Sequence, residues 1–259
     1  MLTTLIASLA CCAPLLGPGA LEASAQREQA QLQEPSPEAA ALARRLREAF
    51  DSGSAPQRIA ALRSSFLHAD ESVVAQVRRG LEDRDIDVRL ATFDALGRNA
   101  HESAFTALLA HQRAKRKELR SLERDLPALL TALARRGDAR ALPALVDDLQ
   151  AQRLVATVRA RILGLARIRS KAAVEALFKL ADEIGFVDMH NHLEDFRLAL
   201  VVLSGVDHGR SLEAWKAWWN GARASFEASE RMAPLAPKDA ARWREHWGES
   251  PAGEQPLSR

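Results

Sequence analysis

Asp188-Met189-His190-Asn191-His192-Leu193-Glu194-Asp195 is the densest group of chemistry-bearing side chains in the sequence. A His-x-His pair with carboxylates close by supplies the nitrogen and oxygen donors that hold zinc or another divalent ion. His190 and His192 are therefore the candidate metal ligands, although two histidines do not close a tetrahedral shell. The same stretch has a plainer use. Asn191 or His192 can start a helix, and Glu194 and Asp195 then favour its positive N-terminal end without any metal.

Aromatic side chains form the second group. Trp215, Trp218 and Trp219 stand at i, i+3 and i+4, and Trp243 and Trp247 at i, i+4. Such faces stack a ligand, a sugar or a base, or they cover the apolar end of a helical array. The covering role is the expectation here, a Trp-bearing C-terminal cap. A third group is the basic run Arg113-Ala114-Lys115-Arg116-Lys117-Glu118-Leu119-Arg120. Basic runs meet anionic surfaces. Glu118, Glu123 and Asp125 lie beside this one and no aromatics interleave, which fits a solvated helix or linker.

No nucleophile elbow, H-E-x-x-H, P-loop or glycine-rich dinucleotide turn is present in the sequence. No Ser/His arrangement singles out a nucleophile and its base. The expectation is a protein without catalytic chemistry or cofactor.

The elements that must position these groups are helices. The 259 residues are rich in Ala, Leu and Arg and contain no Tyr, a balance that favours helix over strand. Leu42, Leu46 and Phe50 form a stripe at helical spacing. Ile59, Leu62 and Phe66 follow, then Val73, Val74, Val77 and Leu81. No sustained alternation marks a strand. The net charge of +2 lacks the basic excess of a dedicated nucleic-acid binder, so no nucleic-acid partner is expected.

Residues 2–16 form a short uncharged apolar run, followed by Gly-Pro-Gly and then Ala23-Ser24-Ala25. That is the pattern of a secretory signal peptide over 1–25, too short for a transmembrane helix. Cleavage would remove both cysteines, Cys11 and Cys12, leaving a mature chain without disulfides or thiols and with no transmembrane segment. Lipoprotein anchoring at Cys11 or Cys12 is the alternative. Residues 26–37 are polar and Gln-rich with two prolines, a linker composition.

Repetition organises the rest. Leu96-Gly97-Arg98 recurs as Leu133-Ala134-Arg135 and Leu165-Ala166-Arg167, with a degenerate copy at Leu203-Ser204-Gly205, spaced by 37, 32 and 38 residues. Each copy ends one helix and a second helix follows: 101–112, 139–149, 170–181 and 211–222. Helix pairs at this period read as an α-solenoid. One pair cannot bury its apolar face alone, and stacked pairs can. Ala91, Ala95, Ala132, Ala134, Ala160 and Ala166 suit the close approach this needs. Gly80, Gly97, Gly137 and Gly221 are expected at helix ends.

Asp85-Ile86-Asp87-Val88-Arg89 running to Ala95-Leu96-Gly97-Arg98 resembles the first helix of a HEAT repeat, and Val158-Arg159-Ala160 echoes its Val-Arg pair. Ala141-Leu142-Pro143-Ala144-Leu145 after Gly137-Asp138 looks like the second half of a repeat. The third copy departs, having Asp125-Leu126-Pro127. The resemblance, to HEAT-like (PBS-lyase-type) proteins of the exported bacterial kind, covers about residues 56–222. It implies an all-α, armadillo-like superhelix of stacked antiparallel helix pairs over 38–222; a Trp-bearing helical cap over 223–249 and a disordered tail over 250–259 complete the expected layout. It also implies that the Val-Arg arginine bonds to the neighbouring repeat. In this family the second helices line a concave binding surface, here Arg78, Arg140, Asp147, Lys171, Glu175 and Lys179.

The function expected is a non-enzymatic scaffold of the periplasm or cell envelope that binds a protein or peptide partner. A metal- or small-ligand-binding solenoid using His190 and His192 is the alternative. A HEAT-like enzyme of the lyase or DNA-glycosylase type comes third, opposed by the export pattern and the near-neutral charge.

Overall fold

A computed structural model describes residues 35–149, 154–229 and 231–249. The expected signal peptide with Cys11 and Cys12, most of the 26–37 linker and the 250–259 tail lie outside the described residues. The chain divides after Ser36, and the unit from Pro37 onward carries the described helices. These residues fold as helices and 3₁₀ turns, with no strand among them.

The chain opens with α1 (Pro37–Ser52), α2 (Ala55–Arg63) and α3 (Glu71–Val77), the last continued by a 3₁₀ turn over Arg78–Glu82. Then come α4 (Ile86–Arg98), α5 (Glu102–Ala114), the single turn α6 (Arg116–Leu119) and α7 (Asp125–Ala134). A 3₁₀ turn over Ala139–Ala141 leads into the short α8 (Leu142–Leu145). The remainder is α9 (Val155–Arg167), α10 (Lys171–His190), α11 (Leu193–Ser204), α12 (Leu212–Ala222) and α13 (Pro237–Trp247). Within the described residues no helix is long and apolar enough to cross a membrane.

Packing follows a regular scheme. α2 packs on α4, α4 on α7, α7 on α9 and α9 on α11. The intervening helices fold back on this series, as α5 does on α4, α10 on α9 and α1 on α2. The shared core runs through the apolar stripes, including Leu46, Leu62, Phe93, Leu108, Leu129, Leu133, Leu163 and Phe196.

Side-chain caps set several helix starts. Asp70 accepts from the Ser72 N–H, Asp85 from those of Asp87 and Val88, and Ser211 from that of Ala214. Each satisfies donors that the first turn leaves without an intrahelical partner.

One expectation needs correction. Residues 139–149 do not form one helix. After α8 the chain turns, with Asp148 at φ 42°, and Arg116 and Arg120 capture Asp147 and Asp148. The glycines also divide. Gly137 takes φ 68°, a conformation costly for residues with a Cβ. Gly97 instead lies inside α4, where a Cβ would stand 2.8 Å from Ala132 Cα on α7. It stands in the last turn of α4, at the expected helix end, and also serves this close approach.

Candidate functional site

Asp85 caps α4 and so places Arg89 one turn inside it. Arg89 Nε donates to Asp125 Oδ1 at 2.5 Å, Nη2 to Oδ2 at 3.2 Å, and Nη1 to the Asp83 carbonyl at 2.9 Å. Asp125 is almost fully buried at the start of α7. The forked bond is the geometry that guanidinium and carboxylate favour, and it holds the Arg89 pKa above its ordinary value, the Asp125 hydrogen bond being the largest cause. The acceptor is supplied by the copy in which Asp125-Leu126-Pro127 replaces Val-Arg.

The second Val-Arg arginine reaches a matching aspartate through a looser ion pair, without a hydrogen bond to it. Arg159 on α9 pairs at 3.6 Å with Asp195 at the start of α11. Both arginines reach an aspartate 36 residues further on. At Asp195 a third group intrudes. Arg242 of α13 donates to Asp195 Oδ1 from Nη2 at 2.8 Å and from Nε at 3.2 Å.

That contact is one end of a strap. Near the start of α13 the buried Asp239 accepts from both terminal nitrogens of Arg197 on α11, each at 3.0 Å. At its other end, Arg135 Nη1 donates to the Trp247 carbonyl at 2.5 Å. Arg167 lies over the Trp247 ring at 4.9 Å and the Trp243 ring at 5.9 Å, and pairs with Glu249 at 3.0 Å. A Cβ at Gly248 would meet Arg98 Nη2 at 2.8 Å. Thus α13 runs across α11, α9 and α7 towards the end of α4, with its negative C-terminal end against cations.

The cations are Arg98, Arg135 and Arg167, the last residues of the Leu-x-Arg copies. Sequence reasoning used them to find the repeat and missed them as a site. Burial, and then the neighbouring Arg98, depresses the Arg135 pKa.

The tryptophans fall into two groups. On α12, Trp219 stacks on Phe178 of α10 at 5.8 Å and Trp215 Nε1 donates to the Gly209 carbonyl. Trp218 packs edge-on against Trp215 and Phe226. Trp243 and Trp247, 5.7 Å apart, are buried on α13 beside the arginines. The two groups therefore meet different neighbours, Trp219 packing on α10 and Trp243 and Trp247 on Arg135 and Arg167.

Of the expected second-helix residues, Arg78 and Lys179 are exposed and Lys171 is half-buried. The others are tied by ion pairs. Arg140 bonds Asp138 and Glu102, Asp147 takes both arms of Arg116, and Glu175 accepts from Arg223. The Arg113–Arg120 run is likewise used internally, Arg116 and Arg120 clasping Asp147 and Asp148 and Lys115 meeting Glu82 and Glu118.

His192 sits at the N-cap position of α11 and is 2% exposed, whereas His190 is exposed at the end of α10. Glu194 and Asp195 occupy the first turn of α11, but arginines engage them: Arg197 and Arg210 on Glu194, Arg159 and Arg242 on Asp195. Among the described residues no three His, Cys, Asp or Glu side chains gather as a metal shell.

Alongside α13 the surface is concave. One groove runs between Ile59, Arg63, Phe66, Leu90 and Asp94. A second, sharing Leu90 and Asp94, continues past Ala128, Thr131 and Val155 to Arg159 and His246. A third holds Phe66, Leu67, Arg98, Arg135, Arg136 and Arg167. The three merge around Asp94 and Arg135.

No protein-family model matches the chain, and no curated protein matches it.

Proposed function

We propose that the chain is a non-enzymatic interaction scaffold of the cell envelope, a HEAT-like α-solenoid that binds a protein partner along the face formed by its second helices. The observation carrying this reading is the pair of Arg-to-Asp clasps at equal spacing, Arg89 to Asp125 and Arg159 to Asp195. The two clasps tie α4 to α7 and α9 to α11, the same step between first helices at two places. In the scaffold reading such ties set α3, α5, α8, α10 and α12 along one extended surface.

The chemistry of that surface is mixed. Arg78, Lys171 and Lys179 supply cations, while the Arg140–Glu102, Arg116–Asp147 and Arg223–Glu175 pairs fix its local shape. A broad surface of both signs suits a protein or peptide partner better than a small substrate. Export accords with the apolar segment and Ala-Ser-Ala at the N-terminus.

The test is crosslinking in the native envelope followed by mass spectrometry, with the chain and with a Lys171→Glu Lys179→Glu variant. A reproducible partner recovered by the first and lost by the second supports the reading. No reproducible partner, or one retained equally by the variant, overturns it.

A further inference from the structure

We propose that the trough beside α13 is a docking site for an acidic amphipathic helix of a partner protein. This goes beyond the scaffold reading, because the trough is built by α2, α4, α7 and α9 and not by the second helices.

The chain itself shows what this side accepts. α13 is an amphipathic helix laid across the same series, with Trp243 and Trp247 at i, i+4 buried and its negative end on Arg135 and Arg167. It covers only the α7–α9–α11 part. The remaining floor is open and apolar, formed by Ile59, Leu90, Ala91 and Ala128. Large apolar side chains at its margins face solvent, Val155 at 60% exposure and Leu67 at 80%. Contiguous exposed apolar surface with a polar rim is the mark of an interaction site.

Charge selects the occupant. The three merging grooves are lined by Arg63, Arg98, Arg135, Arg136, Arg159 and Arg167 against only Asp87 and Asp94. Glu102, Asp195 and Glu249 pair with Arg136, Arg159 and Arg167 from the rim, which leaves Arg63 as the cation without a carboxylate. Arg63, exposed at the far end of the trough, makes no ion pair among the described residues. The complementary ligand carries carboxylates on its flanks and bulky apolar side chains at i, i+4 on its buried face. The apolar floor distinguishes it from a nucleic-acid strand, whose recognition is dominated by phosphate.

The probe is a synthetic fluorescein-labelled helix with two tryptophans at i, i+4 and flanking glutamates, titrated with the full chain and read by anisotropy. Controls replace its glutamates with lysine or its tryptophans with alanine, and a single-stranded DNA oligonucleotide serves as competitor. We expect saturable binding of the acidic helix, weakened about tenfold by Val155→Ser and about tenfold by Arg63→Glu, with each tenfold step about 1.4 kcal/mol. Val206→Ser, exposed but away from the trough, leaves it unchanged, and circular dichroism checks that each variant is folded. The proposal fails if the acidic helix does not bind, if the lysine helix binds as well, if the trough variants match Val206→Ser, or if the DNA binds in preference. Each of these outcomes leaves the second-helix surface untouched, since that reading is tested at Lys171 and Lys179.

Discussion

Arg135 Nη1 donates to the carbonyl oxygen of Trp247 across 112 residues of sequence, at 2.5 Å. That bond, with Arg167 over the same indole, fixes the end of α13 to helices formed much earlier in the chain. Trp247→Ala removes a fully buried ring. It is expected to weaken α13 docking by about 3 kcal/mol, the scale of large-to-small core substitutions. Hydrogen exchange of the 238–247 amides checks this. Protection equal to the parent chain would show that the ring contributes little.

Breaking the Arg89–Asp125 clasp from one side is more costly than removing it whole. Arg89→Ala leaves the buried Asp125 carboxylate without its forked partner. It is expected to cost about 3–5 kcal/mol, as for other half-broken buried pairs. The double variant Arg89→Met Asp125→Leu is expected to be closer to the parent. Urea unfolding of the three chains decides, and a double variant less stable than the single one would refute the expectation.

His246 links α13 to pH. Burial, then the neighbouring Arg159, pushes its pKa down to about 4, against the opposing pull of Asp195. Between that value and the unfolded value of about 6.5, the unfolded chain binds the extra proton. Stability is therefore complete above about pH 6.5 and falls as pH drops through the window, by about 3 kcal/mol in total. His246→Gln is expected to flatten this part of the profile, leaving the smaller share of His111, whose pKa burial also lowers. Urea midpoints at pH 7.5 and pH 4.5 for both chains measure the difference.

Two glycines make opposite predictions. At Gly97 a Cβ would stand 2.8 Å from the Ala132 backbone, so Gly97→Ala is expected to destabilise by about 1–3 kcal/mol despite its better helix propensity. At Gly221 nothing lies within 4 Å of an added Cβ, and Gly221→Ala is expected to stabilise by up to about 1 kcal/mol. Thermal unfolding of the two variants should shift in opposite directions.

Much of the helical plan was legible in the residues themselves. The stripes Leu42/Leu46 and Val73/Val77 carry a helical period, and the Leu-x-Arg copies at 96–98, 133–135 and 165–167 mark helix ends. The Val-Arg pairs pointed to bonds between neighbours, and Arg89 makes one. The path of α13 was not legible, because its partners Arg98, Arg135, Arg167 and Asp195 lie far away in sequence and local periodicity is blind to them. The second role of Gly97, its close approach to Ala132, was hidden for a related reason: it shows only when the neighbouring helix is in place. The 139–149 segment has helical composition, but a tertiary demand, the pairing of Asp147 and Asp148 with Arg116 and Arg120, accompanies its early turn.

In a chain whose helices touch only their sequence neighbours, unfolding can begin at either end and proceed one unit at a time. α13 changes this. By joining α11, α9 and α7 and reaching α4, it acts as a stitch through the fabric, and these helices are expected to come apart only once the stitch is drawn out. The cost is kinetic, since a fastening that closes so long a loop must wait for the cloth beneath it to be woven.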